Sequence, residues 1–229
     1  MIDCCSLSQN STAQNLNSTF DRSLVAKDLK RYRKYGQRKS SRVLTSLIEQ
    51  HHSKGAVSLC DIGSGIGSVT HAFLKMTHTT ATVVETSSAY IKASEEEATN
   101  RGIHDRITYH HGDYVYLAQA LGSHDIMCLD RVICCYPDMD TLVGLSAINA
   151  KSLFAIVIPR DTIFHRMVVS ALHTFHKIVN IFNPGLAPPR FYIHRLSDIN
   201  ATVKWCGLVP LVSKTTCFWR IAIYQRSQA

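Results

Sequence analysis

The 229-residue sequence lacks long apolar runs, has few prolines and is short of acidic residues. It holds six prolines and two tryptophans, and 17 acidic residues stand against 25 Lys and Arg, for a formal net charge of +8. No apolar stretch approaches the length of a membrane-spanning helix. The first 19 residues have neither the basic start nor the apolar segment of a secretory signal. We therefore expect a cytoplasmic protein without a membrane span.

The eight cysteines lack the spacing of a metal site. No C-x-x-C pair is present, and the adjacent Cys134 and Cys135 make a poor start for tetrahedral coordination. Cys60 and Cys128 fall within apolar runs that are typical of buried strands. We expect reduced thiols and no metal ion. The motif G-x-S-x-G is also absent, which argues against a hydrolase with a nucleophile elbow.

A glycine-rich turn is the most informative feature that is present. An apolar run from Val57 leads into Asp61-Ile-Gly-Ser-Gly-Ile-Gly67, which reads as a strand, a turn and a helix start. Alternate glycines let the backbone adopt positive φ and approach a ligand closely. The dinucleotide fingerprint G-x-G-x-x-G would place its last glycine where Ser68 stands, so a nicotinamide oxidoreductase is the nearest alternative but is disfavoured.

Three more acids follow predicted strands. Glu85 ends the run that begins at Thr80, 22 residues after Gly63, a separation typical of acids that bind ribose hydroxyls. Asp113 ends the next strand, and Asp130 ends an apolar run that begins at His124. Apolar runs that alternate with helical stretches predict an α/β protein with a parallel sheet covered on both faces. These acids would then share the carboxyl edge of that sheet.

In this order, the motifs resemble those of class I S-adenosylmethionine-dependent methyltransferases over roughly residues 55–160. The resemblance implies a Rossmann-like, seven-stranded, mostly parallel sheet with helices on both faces and an antiparallel C-terminal strand pair. It also implies that Asp61 contacts the ammonium end of S-adenosyl-L-methionine, that Glu85 binds the ribose, and that Asp113 and Tyr114 contact the adenine. The full predicted cofactor-binding set is Asp61, Gly63, Ser64, Gly65, Gly67, Glu85, Thr86, Asp113, Tyr114 and Asp130.

We predict a tail and one domain. Residues 1–19, rich in Ser, Asn, Thr and Gln, are predicted to be disordered. The methyltransferase domain would span 20–229, with a helical cap at 20–52, a cofactor-binding core at 55–160, a substrate-side insertion at 161–194, and a helix and strands at 195–229. Within the last two parts we expect a helix over 160–176, a short strand over 190–194, a helix over 197–206, and strands over 208–214 and 217–225.

The segment from Lys27 to Arg42 concentrates the positive charge, with eight basic residues and one acid, Asp28. One interpretation is the solvated face of a helix that packs over the cofactor cleft. The alternative is nucleic acid binding, which is disfavoured because only Tyr32 and Tyr35 are available to stack on bases. An RNA-modifying or RNA-binding protein therefore stays as a second hypothesis. A noncatalytic cofactor-binding protein is a third.

Methyl transfer mainly requires alignment of an acceptor with the methyl group, whereas a hydroxyl acceptor also needs a base. Candidate bases are Asp130, His165 and His194, and candidate acceptor-binding residues are Arg131, Tyr136 and Arg160. The DPPY or NPPF box of amino-methylating enzymes is absent, because the corresponding loop reads Asp130-Arg-Val-Ile. We therefore expect a small-molecule acceptor, methylated at oxygen. The sequence indicates no particular oligomeric state.

Overall fold

The computed structural model describes residues 14, 16–18, 20–52, 57–75, 79–182 and 191–227, without the side chains at 172, 173 and 175–182. The strands are β1 (Ser58–Ile62), β2 (Thr80–Glu85), β3 (Ile107–His111), β4 (His124–Asp130), β5 (Ala150–Pro159), β6 (Leu208–Thr215) and β7 (Trp219–Arg226). The α-helices are α1 (Arg22–Tyr35), α2 (Lys39–His51), α3 (Ser68–Phe73), α4 (Ser88–Asn100), α5 (Tyr114–Leu121), α6 (Met139–Ile148), α7 (Ile163–Phe182) and α8 (Leu196–Trp205).

The strands form one seven-stranded sheet in the order β3-β2-β1-β4-β5-β7-β6. The first five strands pair in parallel, and β7 pairs antiparallel with both β5 and β6. The strand order changes direction at β1. Strands β2 and β3 lie on one side of it, and β4 and β5, which come later in the chain, lie on the other. Ligands of open α/β sheets bind at the carboxyl ends of the strands beside such a reversal. The predicted Rossmann-like fold, including its antiparallel strand pair, is confirmed.

Both faces of the sheet are buried, which explains why its central strands are apolar almost throughout. On one face, Phe154 and Tyr224 pack with residues of α5, α6 and α8. On the other, Leu44 and Leu47 of α2 pack with Phe73 at the end of α3. The sheet is therefore the rigid element from which the carboxyl-end loops extend.

A capping residue, Asp21, fixes the start of helix α1. The Asp21 carboxylate accepts hydrogen bonds from the backbone N–H groups of Ser23 and Leu24, each at 3.0 Å, which satisfies donors that the helix itself leaves unpaired. Gly36 ends the helix with a φ of 70°, in the left-handed region that favours glycine. Residues 16–18 of the predicted tail are also helical, whereas residues 1–13, 15 and 19 lie outside the described part of the chain.

Two predictions for the segment after β5 are corrected. Helix α7 runs to Phe182 and not to 176, and residues 191–194 form no strand. The apolar residues Phe191 and Tyr192 suggested a strand, but the Tyr192 N–H donates to the carbonyl of Cys134 at 2.7 Å, in the loop after β4. This segment therefore packs over the edge of the sheet. Among the described helices, none is long and apolar enough to cross a membrane.

Candidate functional site

The glycine turn after β1 has the backbone conformation that its sequence predicts. Gly63, Gly65 and Gly67 all have positive φ, between 58° and 75°. A Cβ on Gly63 would lie 2.6 Å from Cγ2 of Val132, and a Cβ on Gly67 would lie 2.5 Å from Oγ of Ser94. Glycine is therefore required at both positions for two reasons, backbone conformation and close packing.

Asp61 lies beneath this turn and is buried. Its Oδ2 accepts a hydrogen bond from Oγ1 of Thr70 at 2.7 Å, whereas its Oδ1 has no partner. Burial raises the pKa of Asp61 to about 7, and the nearby carboxylates of Asp130 and Glu85 add to the rise. The buried Oγ of Ser64 in the turn also lacks a partner. Buried polar atoms are rarely left unpaired, so these two atoms fit a polar, cationic ligand seated at the turn.

Glu85 connects the glycine turn to the end of β2. Its Oε2 accepts from the backbone N–H of Gly65 and its Oε1 from that of Ser87, both at 2.9 Å. Burial raises its pKa, and the backbone hydrogen bonds oppose that rise. The Thr86 hydroxyl also donates to Oε1, at 3.4 Å. A carboxylate has about four acceptor positions, so Glu85 can still accept from one hydroxyl of a ribose.

These residues open onto a cavity of about 280 Å³ at the carboxyl edge of the sheet, which we call the central cleft. Of the predicted site residues, Gly63, Ser64, Gly65, Glu85, Thr86, Asp130, Arg131 and Tyr136 line it. Gly67, in the turn, and Asp61, beneath it, do not. The predicted residues that line the cleft therefore come from the ends of β1, β2 and β4 and the loops that follow them.

Asp113 and Tyr114 line a smaller adjoining cavity of about 40 Å³, which shares Gly63, Thr86 and Tyr136 with the central cleft. Asp113 caps α5 through the N–H of Val115, at 3.0 Å, and accepts from the Tyr136 hydroxyl at 2.9 Å. Tyr114 is buried, and its hydroxyl accepts from the side chain of Asn149 at 3.0 Å. Burial and the neighbouring Asp113 raise the pKa of Tyr136, which keeps its hydroxyl protonated as a donor.

Asp130 is held by two neighbours at the end of β4. Its Oδ2 accepts from Oγ of Ser41 at 2.5 Å, and its Oδ1 accepts from Nε of Arg131 at 3.1 Å. Arg131 has a φ of 64° and is the only non-glycine residue in the described part of the chain with positive φ. Burial acts to lower the pKa of Arg131, but Asp130 raises it and prevails. The guanidinium also lies over the ring of Trp219, with 6.0 Å from Cζ to the ring centroid.

The two candidate histidines and Arg160 are not brought to the central cleft. Nε2 of His194 faces the carbonyl oxygens of Ile133 and Tyr136, at 3.1 and 3.2 Å. Two acceptors there place the proton on Nε2, so this nitrogen cannot take a proton from an acceptor. His165 is buried, with its Nδ1 2.6 Å from Oγ1 of Thr162 and its ring 4.9 Å from that of Phe218. Arg160 donates to the carbonyl of Cys217 at 3.3 Å.

Sequence reasoning missed the outer wall of the cleft. That wall consists of Leu16, Phe20, Asp28, Arg31, Arg38, Tyr90, Cys134, Cys135, Phe191 and Trp219. The concentrated charge of the basic segment was a signal for three of them, and the structure places α1 over the cleft, in agreement with the first interpretation of that segment. Phe191 and Trp219 gave no signal, because only the folded chain brings them to this edge.

Comparison with known proteins agrees with this geometry. Residues 60–144 match the model of a family described as a methyltransferase domain. No curated protein sequence matches the chain significantly.

Three solved structures illustrate the shared fold. Magnesium protoporphyrin IX methyltransferase from Synechocystis PCC 6803, with bound S-adenosylhomocysteine, has a TM-score of 0.69 at 19% identity, and the match covers 93% of this chain and 99% of that one. Mitomycin 7-O-methyltransferase gives 0.65 at 17%, with 97% and 62% covered. An O-methyltransferase family 2 protein from Planctomyces limnophilus DSM 3776, in complex with apigenin, gives 0.60 at 16%, with 84% and 63% covered. Residues 60–144 therefore match a methyltransferase domain, in a chain that shares its fold with these solved methyltransferases.

Proposed function

We propose that the protein transfers the methyl group of S-adenosyl-L-methionine to oxygen of a small-molecule acceptor. The observation that carries the proposal is the pair of unpartnered, buried polar atoms, Oδ1 of Asp61 and Oγ of Ser64, at a turn of three positive-φ glycines. A phosphate would be repelled by the carboxylates of Asp61 and Glu85. A ligand with an ammonium group and a sulfonium is instead attracted by them.

The remaining contacts follow from the two cavities. Glu85 would accept from a ribose hydroxyl at its remaining acceptor position. The smaller cavity beside Asp113 would take the adenine, where Tyr114 and Tyr136 form its walls. The methyl group would then point into the central cleft, toward Asp130 and Arg131.

The outer wall of the cleft supports a small, flat acceptor. Aromatic side chains of Phe20, Tyr90, Tyr136, Phe191 and Trp219 line it, and such rings favour stacking on planar molecules. The comparison proteins whose names specify an acceptor act on or bind small molecules, mitomycin and apigenin among them. Arg131 and Tyr136 remain our proposed acceptor-binding residues.

Calorimetry with S-adenosylhomocysteine tests the cofactor assignment. We expect tight binding by the wild-type protein and a loss of about 2 kcal/mol for Glu85→Ala, because hydrogen bonds to a charged group disappear. Glu85→Gln keeps the shape of the side chain and separates charge from packing. Glu96→Gln, an exposed position on α4, is the matched control and should bind as the wild type does.

Two contrary results of this calorimetry would have different meanings. Absence of binding by the wild-type protein would contradict the cofactor assignment as a whole. Binding that Glu85→Ala leaves unchanged would contradict only the ribose contact.

A further inference from the structure

The central cleft is lined by three guanidinium groups, from Arg31, Arg38 and Arg131, and the last two repel the first. They face two carboxylates, Asp28 and Asp130, and a third, Glu85, is bound to the glycine turn.

Both facing carboxylates are already occupied. Asp28 accepts from Nη2 of Arg38 at 2.7 Å and from the Tyr90 hydroxyl at 2.8 Å. Asp130 is held by Arg131 and by Oγ of Ser41.

The guanidinium of Arg31 has one carbonyl acceptor but no close carboxylate. Its Nη1 donates to the carbonyl of Gly36 at 3.3 Å, whereas its Nε is buried without a hydrogen bond, 4.0 Å from Oδ1 of Asp28. Burial lowers the pKa of Arg31, and the positive charges of Arg38 and Arg131 lower it further. An anionic group placed here would relieve this repulsion and provide the missing acceptor.

The same wall lacks a base for a hydroxyl acceptor. Among the described residues, no histidine lines the cleft. Asp28 and Asp130 each accept from two neighbours, and Glu85 accepts from three and is assigned to the ribose. The remaining titratable side chains include the adjacent thiols. The pKa of Cys135 is lowered by its hydrogen bond with Cys134, at 3.8 Å between the sulfur atoms. A thiolate with a lowered pKa is a weak base, and it would deprotonate an alcohol poorly.

We infer that the acceptor is a carboxylic acid with a flat apolar body, that Arg31 together with Arg131 binds its carboxylate, and that the product is a methyl ester. This inference rests on the proposed function. A carboxyl group is ionised at neutral pH, so no proton has to be removed and no base is needed. Charge-assisted hydrogen bonds from arginine suit a carboxylate, and the aromatic wall accommodates the flat body.

The reaction is balanced without a further reactant. A lone pair of one carboxylate oxygen forms the new C–O bond to the methyl carbon while the C–S bond breaks. The bonding electrons move to sulfur, so the sulfonium becomes a neutral thioether. The negative charge of the acceptor and the positive charge of the sulfonium disappear together.

Binding of matched ligands to the full chain saturated with S-adenosylhomocysteine tests the inference. We expect 2-naphthoate to bind at least about tenfold more tightly than 2-naphthamide, which has the same shape without the charge. The variant Arg31→Gln should abolish this difference, and Arg31→Lys should restore part of it. Lys34→Gln, an exposed position on the same helix outside the cleft, is the matched control. Equal binding of the acid and the amide would overturn the inference.

A second comparison separates two carboxylates, since the aminoacyl end of the cofactor also carries one. 5′-Methylthioadenosine lacks that end. If Arg31→Gln weakens S-adenosylhomocysteine but not 5′-methylthioadenosine, the arginine binds the cofactor and the inference is wrong. We expect both to bind within twofold of their wild-type affinity.

The product provides an independent readout. With a tritiated methyl donor and flat aromatic acids, we expect label that mild alkali releases as volatile methanol, because esters hydrolyse and aryl ethers do not. Alkali-stable label on 2-naphthol with none on the acids would overturn the inference and leave the proposed function intact. Absence of S-adenosylhomocysteine binding would contradict the proposed function itself.

Discussion

Asp61 holds a carboxyl group where the interior of the protein disfavours charge. Its pKa is about 7 in the folded chain because of burial, against about 4 for an exposed aspartate. The folded state therefore binds the proton more tightly than the unfolded state, and stability is lost as pH rises from about 4 to 7. We expect Asp61→Asn to raise the midpoint of thermal unfolding by about 3 °C or more at pH 8, and by much less at pH 4. An unchanged midpoint at pH 8 would contradict the pKa.

The close contacts of Gly67 give a second prediction at this scale. Gly67→Ala should lower the free energy of unfolding by more than about 2 kcal/mol, since its Cβ would overlap Ser94 and His71. Gly102→Ala is the matched control, because Gly102 also has positive φ, 66°, but nothing within 4 Å of its Cβ position. It should show the backbone cost alone, about 1 kcal/mol. Urea denaturation of both variants measures the difference, and equal losses would show that packing at Gly67 is unimportant.

The functional role of a residue could be predicted from the sequence where one short segment forms the whole site feature. The glycine turn and Asp61 lie within seven consecutive residues, so their spacing alone indicated a ligand loop. His165, His194 and Arg160 were predicted from residue type, and the structure engages each with Thr162, with backbone carbonyls or with Cys217 outside the cleft. The bonds of His194 and Arg160 join segments that are far apart in sequence and leave no local pattern, whereas His165 bonds to Thr162 only three residues away.

At the scale of elements, helix α1 is attached over the cleft by a small number of polar contacts. The Tyr90 hydroxyl of α4 donates to Asp28 of α1, which also accepts from Arg38 at the start of α2. We expect Tyr90→Phe to speed amide hydrogen exchange in α1 about fivefold, as loss of one hydrogen bond of about 1 kcal/mol implies. Tyr116→Phe, at an exposed position of α5, should change nothing there. Unchanged exchange in Tyr90→Phe would show that this hydrogen bond does not hold α1 in place.

The last strand is joined to the helix ends by one arginine. From β7, Arg226 donates to the carbonyls of Ala147 and Ala150, at 2.8 and 3.1 Å, and to that of Cys206. A lysine cannot reach three acceptors in this planar arrangement. We expect Arg226→Lys to lower the free energy of unfolding by about 2 kcal/mol, measured by urea denaturation. The neighbouring Arg220→Lys serves as control, and an equal effect in both variants would contradict the special role of Arg226.

The elements themselves were largely predictable, because strands of a buried parallel sheet are continuous apolar runs. The predicted strands over 208–214 and 217–225 correspond to β6 and β7. Residues 191–194 were not predictable in the same way. The ring of Phe191 packs against those of Phe218 and Trp219, and such packing buries an apolar side chain without pairing the backbone in a strand.

At the scale of the whole molecule, the positive charge is concentrated in the segment from Lys27 to Arg42, and two of its eight basic residues form close ion pairs. Arg33 contacts Glu97 at 2.8 Å and Arg38 contacts Asp28. Lys27, Lys30 and Lys34 remain exposed on α1. We expect a variant with all three changed to Gln to keep its affinity for S-adenosylhomocysteine within twofold and to lose any salt-sensitive RNA binding. Filter binding over a salt series measures the latter. Loss of methyl transfer together with RNA binding would instead favour the RNA-modifying alternative.

The left-handed backbone at Arg131 has a consequence for adaptation of this chain. A residue with a side chain is held there at a cost of about 1 kcal/mol, and glycine would remove that cost while deleting the guanidinium. The buried Asp130 carboxylate would then lose its ion-pair partner, a loss of about 3 kcal/mol or more that outweighs the backbone gain. Selection for heat resistance and selection for turnover should therefore both retain Arg131, and directed evolution under each pressure in turn would test whether one strained residue is kept for both reasons.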